Sequence, residues 1–287
     1  MTQGSLATGV ALGAPPDHLS PEGQNWNLTA FAPSLSAATG YDHFRKTLRQ
    51  TMRLAGVIRI DHVLGLNRSF WIPDDGSPGA YIRQPFETLL ALLAIEAHQA
   101  NCVVVGEDLG LVPDGFRDVL TGRGLYGYSV LQYEKDDSGA FRDPAHLRVQ
   151  SLACFATHDT PTLRGYCTGR DIDWWQRLGW IDQSNAAWLR SERLAEVATL
   201  TQDNADPVDA IHSRLAHSPV AMAVVQLDDV LHEIEAQNLP GTIEEHPNWR
   251  RICDMTVDDF KNTSALGELR DLMHAAGRTK NDPNGET

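Results

Sequence analysis

The stretch VVVGEDLG, residues 103–110, decides how this chain is expected to fold. Three β-branched residues predict a buried strand, and a glycine and two acids end it. The same pattern, a short apolar run and then an acid, recurs before Asp61 in VIRIDH and before Asp159 in CFATHDT. About 50 residues separate Asp61 from Glu107 and Glu107 from Asp159, enough for a crossover helix each time. Parallel strands of one sheet or barrel present their carboxyl ends on one face, so we expect the three acids to converge.

Composition and charge narrow the kinds of partner that this chain can have. Its 287 residues have a formal net charge of −14, with ordinary hydrophobic and charged contents of 42% and 22%. Phosphate contacts need clustered Lys and Arg, so this charge disfavours nucleic acid and anionic lipid; it suits an uncharged polar ligand or simple solubility. The four cysteines form no CxxC pair, so we expect free thiols and a cytoplasmic protein. The N-terminal stretch does not resemble a signal peptide, and no apolar run approaches the roughly 20 residues of a membrane span.

Helices and strands are predicted to alternate along most of the chain. Helices are expected at 41–54, 86–99, 114–121, 173–200 and 207–216, and strands at 57–60, 103–105, 126–133, 152–156 and 220–227. This order is typical of an α/β fold with a parallel sheet, closed either as a doubly wound sheet or as a barrel. No GxGxxG follows the first strand and no P-loop occurs, which weakens nucleotide-binding options.

Composition also divides the chain into three regions. Residues 1–40 are rich in Gly, Pro, Ser and Ala and are expected to form an active-site loop region with little regular structure. Residues 41–260 hold most of the predicted strands and helices and are expected to form the catalytic domain. Residues 261–287 are expected to form a helix and then a disordered tail, TKNDPNGET.

The first two acids have surroundings that suit opposite protonation states. Arg59, two residues before Asp61, would keep that carboxylate ionised, as a nucleophile at an anomeric carbon must be. Gly106 allows a ligand or another backbone segment to approach, and partial burial of Glu107 near other acids would raise its pKa, as a general acid requires. Structural interpretations compete: an Arg–Asp pair with a capping role in the first case, and a helix N-cap in the second, which explains Asp108 better than Glu107.

Asp159 and one tryptophan complete the set of candidate residues. Asp159 precedes Pro161, so it is expected in a tight turn, either as an ordinary Asx-turn residue or as a group that grips adjacent sugar hydroxyls. His158 beside it could donate to a sugar hydroxyl. Metal ligation by the His–Asp pairs is a weaker interpretation, because the His-x-His pattern of strand-end metal barrels is absent. Trp26 lies in a Gly- and Pro-rich loop and is the aromatic side chain best suited to stack on a sugar ring.

Taken in order, several segments of the chain resemble one family, the amylomaltases or 4-α-glucanotransferases of glycoside hydrolase family 77. These segments are GAPPD (13–17), GQNW (23–26), RIDH (59–62), WIP (71–73), GEDLG (106–110), THDTPTLRGY (157–166) and PGTIEEHPNWRR (240–251). The resemblance extends over residues 10–255. It implies a (β/α)8 barrel of the TIM type that acts on α-1,4-glucans with retention of configuration and needs no metal or organic cofactor.

The resemblance also implies a role for individual residues. Asp61 matches the nucleophile, Glu107 the acid/base, and Asp159 the acid that stabilises the transition state by binding sugar hydroxyls. Substrate-binding positions are implied at Arg59, His158, Trp26, Gln24, Asp17, Asn238, Gly241 and Thr242. A covalent glucosyl-enzyme would form on the nucleophile and be transferred to the 4-hydroxyl of an acceptor glucan. Two alternatives stay open: a retaining α-glucan hydrolase that uses the same acids, and an inactive truncated remnant that at most binds glucan.

The predicted barrel contains only about five βα units. Members of the family carry further residues before GAPPD, so the chain resembles the C-terminal part of such an enzyme. An open barrel leaves unpaired strand edges and an apolar interior exposed. We therefore expect the chain alone to be poorly stable or to associate with itself.

Overall fold

The computed structural model describes residues 5–16, 23–201 and 206–278. The chain divides into two compact units, Met1–Tyr128 and Ser129–Thr287. This division falls inside the region 41–260, whose role as one catalytic domain remains a prediction. Strands and helices are mixed throughout, in agreement with the predicted α/β class.

The first unit contains most of the strands. They are β1 (Leu6–Ala14), β2 (Gln24–Phe31), β3 (Val57–Ile60), β4 (Arg68–Pro73), β5 (Ala80–Arg83) and β6 (Val103–Gly106). Its helices are α1 (Pro33–Ala38), α2 (Asp42–Met52), α3 (Phe86–Ala100) and α4 (Phe116–Gly122). The helices predicted at 41–54, 86–99 and 114–121 are thus confirmed, as are the strands at 57–60 and 103–105.

Strands β1 and β2 lie in the region that was expected to be a loop, and they belong to an antiparallel sheet in the order β2-β1-β4-β5. The prediction of little regular structure within 1–40 is therefore wrong for its described part. Most of β2 is exposed to solvent, and its sequence QNWNLTAF is accordingly polar. It therefore contains no apolar run by which a strand could be predicted. In β1, Gly13 is required by close packing, since a Cβ there would lie 2.0 Å from the carbonyl oxygen of Gln24. Neither β1, which is rich in small residues, nor the polar β2 shows the alternation of apolar and polar residues that predicts a strand.

A parallel pair, β3 and β6, forms the centre of the first unit. Ile58 and Val104 on these strands pack with Leu90 and Leu93 of α3 and with Met52 of α2 in one apolar core. The register pairs the last residue of β3 with Gly106, the last residue of β6. Both strands therefore end at the same level, and the residues that follow them emerge side by side.

The second unit is built around a smaller sheet. Its strands are β7 (Gly127–Val130), which starts in the last residues of the first unit, β8 (Ser151–Cys154) and β9 (Met222–Ala223), in the order β7-β8-β9 with β8 and β9 parallel. Its helices are α5 (Leu163–Thr168), α6 (Arg170–Arg177), α7 (Gln183–Thr201), α8 (Pro207–His217), α9 (Leu227–Val230), α10 (Val257–Lys261) and α11 (Ser264–Ala275). Phe155, Leu163, Ile211 and Leu215 lie in its apolar core.

The strand predicted at 220–227 is shorter than expected. Only Met222–Ala223 is strand, and helix α9 begins at Leu227. In this helix the buried Asp229 carboxylate accepts the backbone N–H of Leu163 at 2.7 Å, which ties α9 to the start of α5. The helices expected at 173–200, 207–216 and near the C-terminus are confirmed, whereas the predicted disordered tail, 279–287, lies outside the described residues.

Candidate active site

Asp61 directly follows β3 and is held by the arginine of the same strand. Its Oδ1 lies 2.7 Å from Nη2 of Arg59 in an ion pair. The guanidinium of Arg59 lies 5.0 Å from the ring centroid of Tyr128, a cation–π distance that fixes its position. The Asp61 carboxylate itself is exposed, so it is oriented by a fixed positive charge and accessible to a ligand.

Glu107 directly follows β6, and its carboxylate is held by the backbone. Oε2 accepts the N–H of His62 and Oε1 accepts the N–H of Leu109, each at 2.8 Å. Burial raises the pKa of Glu107, and the negative charge of Asp61 adds to this effect. The two backbone hydrogen bonds and Arg59 oppose it without cancelling it. The raised pKa expected for this residue is confirmed in direction.

The turn after β3 brings His62 to Glu107. His62 has left-handed backbone angles, φ 46° and ψ 57°, which turn its N–H toward the glutamate. The backbones are also joined, because Glu107 donates to the carbonyl of Ile60 at 2.9 Å and Val63 donates to the carbonyl of Glu107 at 3.0 Å. Burial lowers the pKa of the His62 imidazole despite the nearby Asp61. The neutral ring therefore adds no positive charge beside the glutamate.

Gly106 has a different neighbour from the one predicted. A Cβ on this residue would lie 2.9 to 3.1 Å from the side-chain atoms of Val63, so the glycine makes room for the turn after β3. Asp108, next to the glutamate, is fully buried; it accepts hydrogen bonds from Nε of Arg117 and from the backbone N–H of Tyr128. It does not cap α4, whose N-cap is Gly115. The acid that sequence alone explained as a cap instead holds two other segments together.

The aromatic candidate Trp26 lies beside this pair of acids. It belongs to β2, and its ring centroid is 5.1 Å from that of His62 in an edge-on arrangement. Its Nε1–H donates to Oε1 of Gln24 at 3.1 Å, so two predicted substrate-binding residues are joined. Asp17, the third candidate from this part of the sequence, lies outside the described residues.

Asp159 belongs to the second unit, where it is the centre of its own cluster. Its Oδ2 lies 3.1 Å from Nε2 of His158, and its Oδ1 accepts a hydrogen bond from Nδ2 of Asn238 at 2.7 Å. The turn that carries it is fixed by Thr157, whose Oγ1 accepts the backbone N–H of Asp159 at 3.1 Å. Three predicted residues are thus brought together, although 79 positions separate Asp159 from Asn238.

Gly241 and Thr242 lie in the loop after Asn238, and their contacts here support the loop. Gly241 has a φ of 86° and packs closely against the ring of Trp180. The Thr242 hydroxyl donates to the carbonyl of Leu239 and accepts a hydrogen bond from the side-chain amide of Asn248. Their predicted contact with substrate remains a prediction.

The same loop contains an aromatic residue that the sequence analysis did not select. Trp249 is 62% exposed, and its ring centroid lies 5.6 Å from that of His158. The criterion used for Trp26, an aromatic in a loop rich in turn-forming residues, also fits the segment HPNWRR. Within the residues that the structure describes, no group of three or more His, Cys, Asp or Glu side chains is arranged to hold a metal ion.

A match to one protein-family model identifies the family of this chain. The model of a family described as 4-alpha-glucanotransferase matches residues 1–256. The chain belongs to the 4-alpha-glucanotransferase family. The resemblance drawn from RIDH, GEDLG and THDTPTLRGY is confirmed.

Relatives within the 4-alpha-glucanotransferase family are considerably longer than this chain. The 4-alpha-glucanotransferase of Mycobacterium tuberculosis is 38% identical over 267 residues, which covers 86% of this chain and 37% of that protein. The one from Haemophilus influenzae is 36% identical over 276 residues, covering 88% of this chain and 39% of that protein. The chain therefore spans less than half the length of these relatives.

Solved structures of amylomaltases have the same fold. The amylomaltase of Corynebacterium glutamicum superposes with a TM-score of 0.85 at 32% identity, covering 94% of this chain and 43% of that one. Amylomaltase from Streptococcus agalactiae, in complex with acarbose, has a TM-score of 0.75 at 18% identity, covering 95% and 52%. No helix within 5–16, 23–201 or 206–278 is long and apolar enough to cross a membrane.

Proposed function

We propose that this chain carries the catalytic carboxylates of a retaining 4-α-glucanotransferase, with Asp61 as nucleophile and Glu107 as acid/base. The observation that supports it most strongly is the pair of adjacent strand ends, those of β3 and β6, which the two acids directly follow. One carboxylate there is exposed and paired with Arg59, while the other is partly buried with a raised pKa. An accessible carboxylate held by an arginine suits a nucleophile, and a partly buried carboxyl group with a raised pKa suits a general acid.

The first half of the proposed reaction cleaves a donor glucan. Glu107 transfers its proton to the glycosidic oxygen, the bond from that oxygen to C1 breaks, and the shortened glucan leaves with a new hydroxyl. An oxygen of Asp61 attacks C1 from the opposite face and forms a glycosyl ester. Arg59, in its ion pair with Asp61, orients the carboxylate for this attack.

The second half transfers the bound glucan to an acceptor. The Glu107 carboxylate takes the proton from the acceptor's 4-hydroxyl, and that oxygen attacks C1 while the bond to Asp61 breaks. Two inversions give net retention, and both carboxyl groups return to their initial states. The backbone donors from His62 and Leu109 hold Glu107 in one position through both proton transfers.

Asp159 is proposed as the third acid, which binds sugar hydroxyls as the ring distorts. Its support is the cluster that holds it, since Asn238 and His158 each contact one of its two oxygens. We further propose that β3, β6, β7, β8 and β9 are consecutive strands of a (β/α)8-type barrel. The parallel pairs β3–β6 and β8–β9 and the acid after β3, β6 and β8 support that arrangement.

The other binding residues follow from this assignment. We propose that Trp26 and Gln24 contact the glucan beside the acids, and that Asp17, Gly241 and Thr242 also take part. No metal or organic cofactor enters the proposed reaction. All four cysteines are free, which supports the proposed location in the reducing cytoplasm.

Incubation of the full chain with maltotriose tests the proposal. Transfer yields glucose together with oligomers longer than maltotriose, whereas a hydrolase only shortens the substrate. Glu107→Gln should lower the rate by about 10²- to 10⁴-fold, the usual contribution of a general acid. Asp118→Asn, which changes an exposed acid on α4, is the matched control and should keep the wild-type rate. Shortening without longer products would replace transfer by hydrolysis.

A further inference from the structure

We infer that Trp249 is a sugar-binding residue, whose indole stacks on the glucosyl unit that Asp159 grips. This inference rests on the proposed function and deepens it. It adds an aromatic surface to a cluster that otherwise offers only polar groups. Three features of the loop that holds Trp249 carry the inference.

The first feature is the place of the ring. Trp249 is 62% exposed, and its ring contacts the imidazole of His158 at a centroid distance of 5.6 Å with a tilt of 44°. Nε2 of the same imidazole lies 3.1 Å from Oδ2 of Asp159. A sugar whose hydroxyls reach the Asp159 carboxylate therefore lies within one side chain's width of an open indole.

The second feature is the backbone of Trp249. Its φ is 58°, in the left-handed region that a bulky residue rarely adopts, and its N–H donates to the carbonyl of Gln237 at 2.8 Å. Such a conformation is kept where surrounding contacts enforce it, and it occurs often at ligand sites. The bond to Gln237 places Trp249 directly beside Asn238, the donor to Asp159.

The third feature is the rigidity of the loop. The side chain of Asn248 joins three points of it: Oδ1 accepts the N–H of Leu239 and a hydrogen from His246, while Nδ2 donates to the carbonyl and hydroxyl oxygens of Thr242. His246 is buried and lies edge-on to Trp174 at 4.8 Å. An exposed indole on a braced loop loses little conformational freedom on binding, which favours its use as a binding platform.

The chemistry of the ligand matches this arrangement. A glucosyl unit has an apolar face of C–H groups and a rim of hydroxyls, so it suits an aromatic face next to a carboxylate and an amide. The net charge of −14 is compatible with this ligand, because a glucan is uncharged. The ligand class is therefore an α-1,4-linked glucan, with one ring on Trp249 and its hydroxyls toward Asp159.

Calorimetric titration of maltoheptaose into the full chain tests the inference, with maltotriose kinetics on the same samples. Trp249→Ala should raise the Kd and the KM about tenfold, equivalent to about 1.4 kcal/mol. Trp249→Phe keeps an aromatic face and should recover most of the affinity. Trp188→Ala removes a tryptophan of equal exposure, 61%, from α7 in the same unit and should change neither constant. Melting curves confirm that each variant is folded.

The possible results separate this inference from the proposed function. An unchanged Kd in Trp249→Ala overturns the inference. A fall in kcat with Kd and KM unchanged also overturns it, because Trp249 would then position His158 rather than bind the sugar. Glucan binding that depends on Trp249 but comes without transfer upholds the inference and overturns the proposed function. A wild-type chain that does not bind maltoheptaose overturns both.

Discussion

The raised pKa of Glu107 predicts how the activity of the chain depends on pH. A general acid must be protonated, so activity is present below the pKa of Glu107 in the folded chain and is lost as the pH rises through it. Burial and Asp61 raise this pKa, whereas Arg59 lowers it. Arg59→Met should therefore move the alkaline limb of kcat/KM to higher pH, in addition to slowing the reaction. A limb that stays in place or moves to lower pH would contradict the assigned role.

Asp229 gives a second prediction, about stability rather than activity. Burial raises its pKa from 3.8 to about 6. Between these values the unfolded chain releases the proton first, so this residue lowers the free energy of unfolding as the pH rises from 3.8 to 6. The loss is about 3 kcal/mol, at roughly 1.4 kcal/mol per pKa unit. Below pH 3.8 the contribution is constant, and above pH 6 it is constant again.

The measurement is urea unfolding of wild type and Asp229→Asn at pH 4 to 7. The stability of the variant relative to wild type should rise across pH 4 to 6 and then level off, since asparagine does not titrate. Burial lowers the pKa of His212 to about 4, so its contribution to the free energy of unfolding has the opposite pH dependence and decreases as the pH falls below 6.5. Because His212 is present in both wild type and variant, this contribution cancels in the comparison. Asp209→Asn, an exposed acid on α8, is the control. A difference that is constant with pH would refute the prediction.

The residue-scale chemistry could be predicted from sequence only where it is local. Asp61 directly follows the strand that contains Arg59, two positions earlier, so their ion pair was foreseeable. Likewise, the pKa shift of Glu107 followed from its place after a buried strand. The backbone donor from His62 was not foreseeable, because it depends on a left-handed turn at a histidine. Nor was Val63 as the neighbour of Gly106, since it depends on how two strands end together.

At the scale of elements, Gly165 positions helix α5 after the turn of Asp159. A Cβ there would lie 2.4 Å from the backbone carbonyl oxygen of Ile234 and 2.9 Å from Oγ1 of Thr162, which caps the helix. Gly165→Ala should destabilise the chain by about 1–3 kcal/mol, as overpacking does. Gly267→Ala is the matched control within α11. No atom lies within 4 Å of its added Cβ, and helix propensity should stabilise it by up to about 1 kcal/mol.

Thermal melting followed by circular dichroism distinguishes these two alanine variants. We expect a lower melting temperature for Gly165→Ala and an equal or higher one for Gly267→Ala. If both substitutions shift the melting temperature alike, the close approach between α5 and the segment of Ile234 is not what stabilises that helix.

Which elements could be predicted depended on how they are buried. Strands β3 and β6 and helices α2 and α3 contribute to one apolar core, so the strands show short apolar runs and the helices are apolar where they pack; all four were predicted closely. Strands β1 and β2 belong to a partly exposed antiparallel sheet; β1 is rich in small residues and β2 in polar ones, so no apolar run marked either strand. Strand β9 is short because the chain turns into α9, where Asp229 bonds to α5, a contact that sequence spacing does not reveal.

At the scale of the whole molecule, self-association remains a prediction. Among the described residues β3 pairs with β6 alone, so its other edge is open, and Val57 on it is 47% exposed. Open edges invite pairing with a second chain. Sedimentation should therefore give a mass that grows with concentration, and Val57→Lys should reduce the growth. A monomer at every concentration, with a cooperative melt above about 45 °C, would contradict this expectation.

In the proposed reaction Asp61 forms a covalent bond to the glucan while Glu107 moves the proton. Mass spectrometry of Glu107→Gln after incubation with α-maltotriosyl fluoride tests it most directly, because fluoride leaves without an acid and the amide cannot activate an acceptor. We expect a maltotriosyl adduct on the peptide that contains Asp61, and none when Asp61→Asn is added. An adduct on another carboxylate, or no adduct at all, would contradict it.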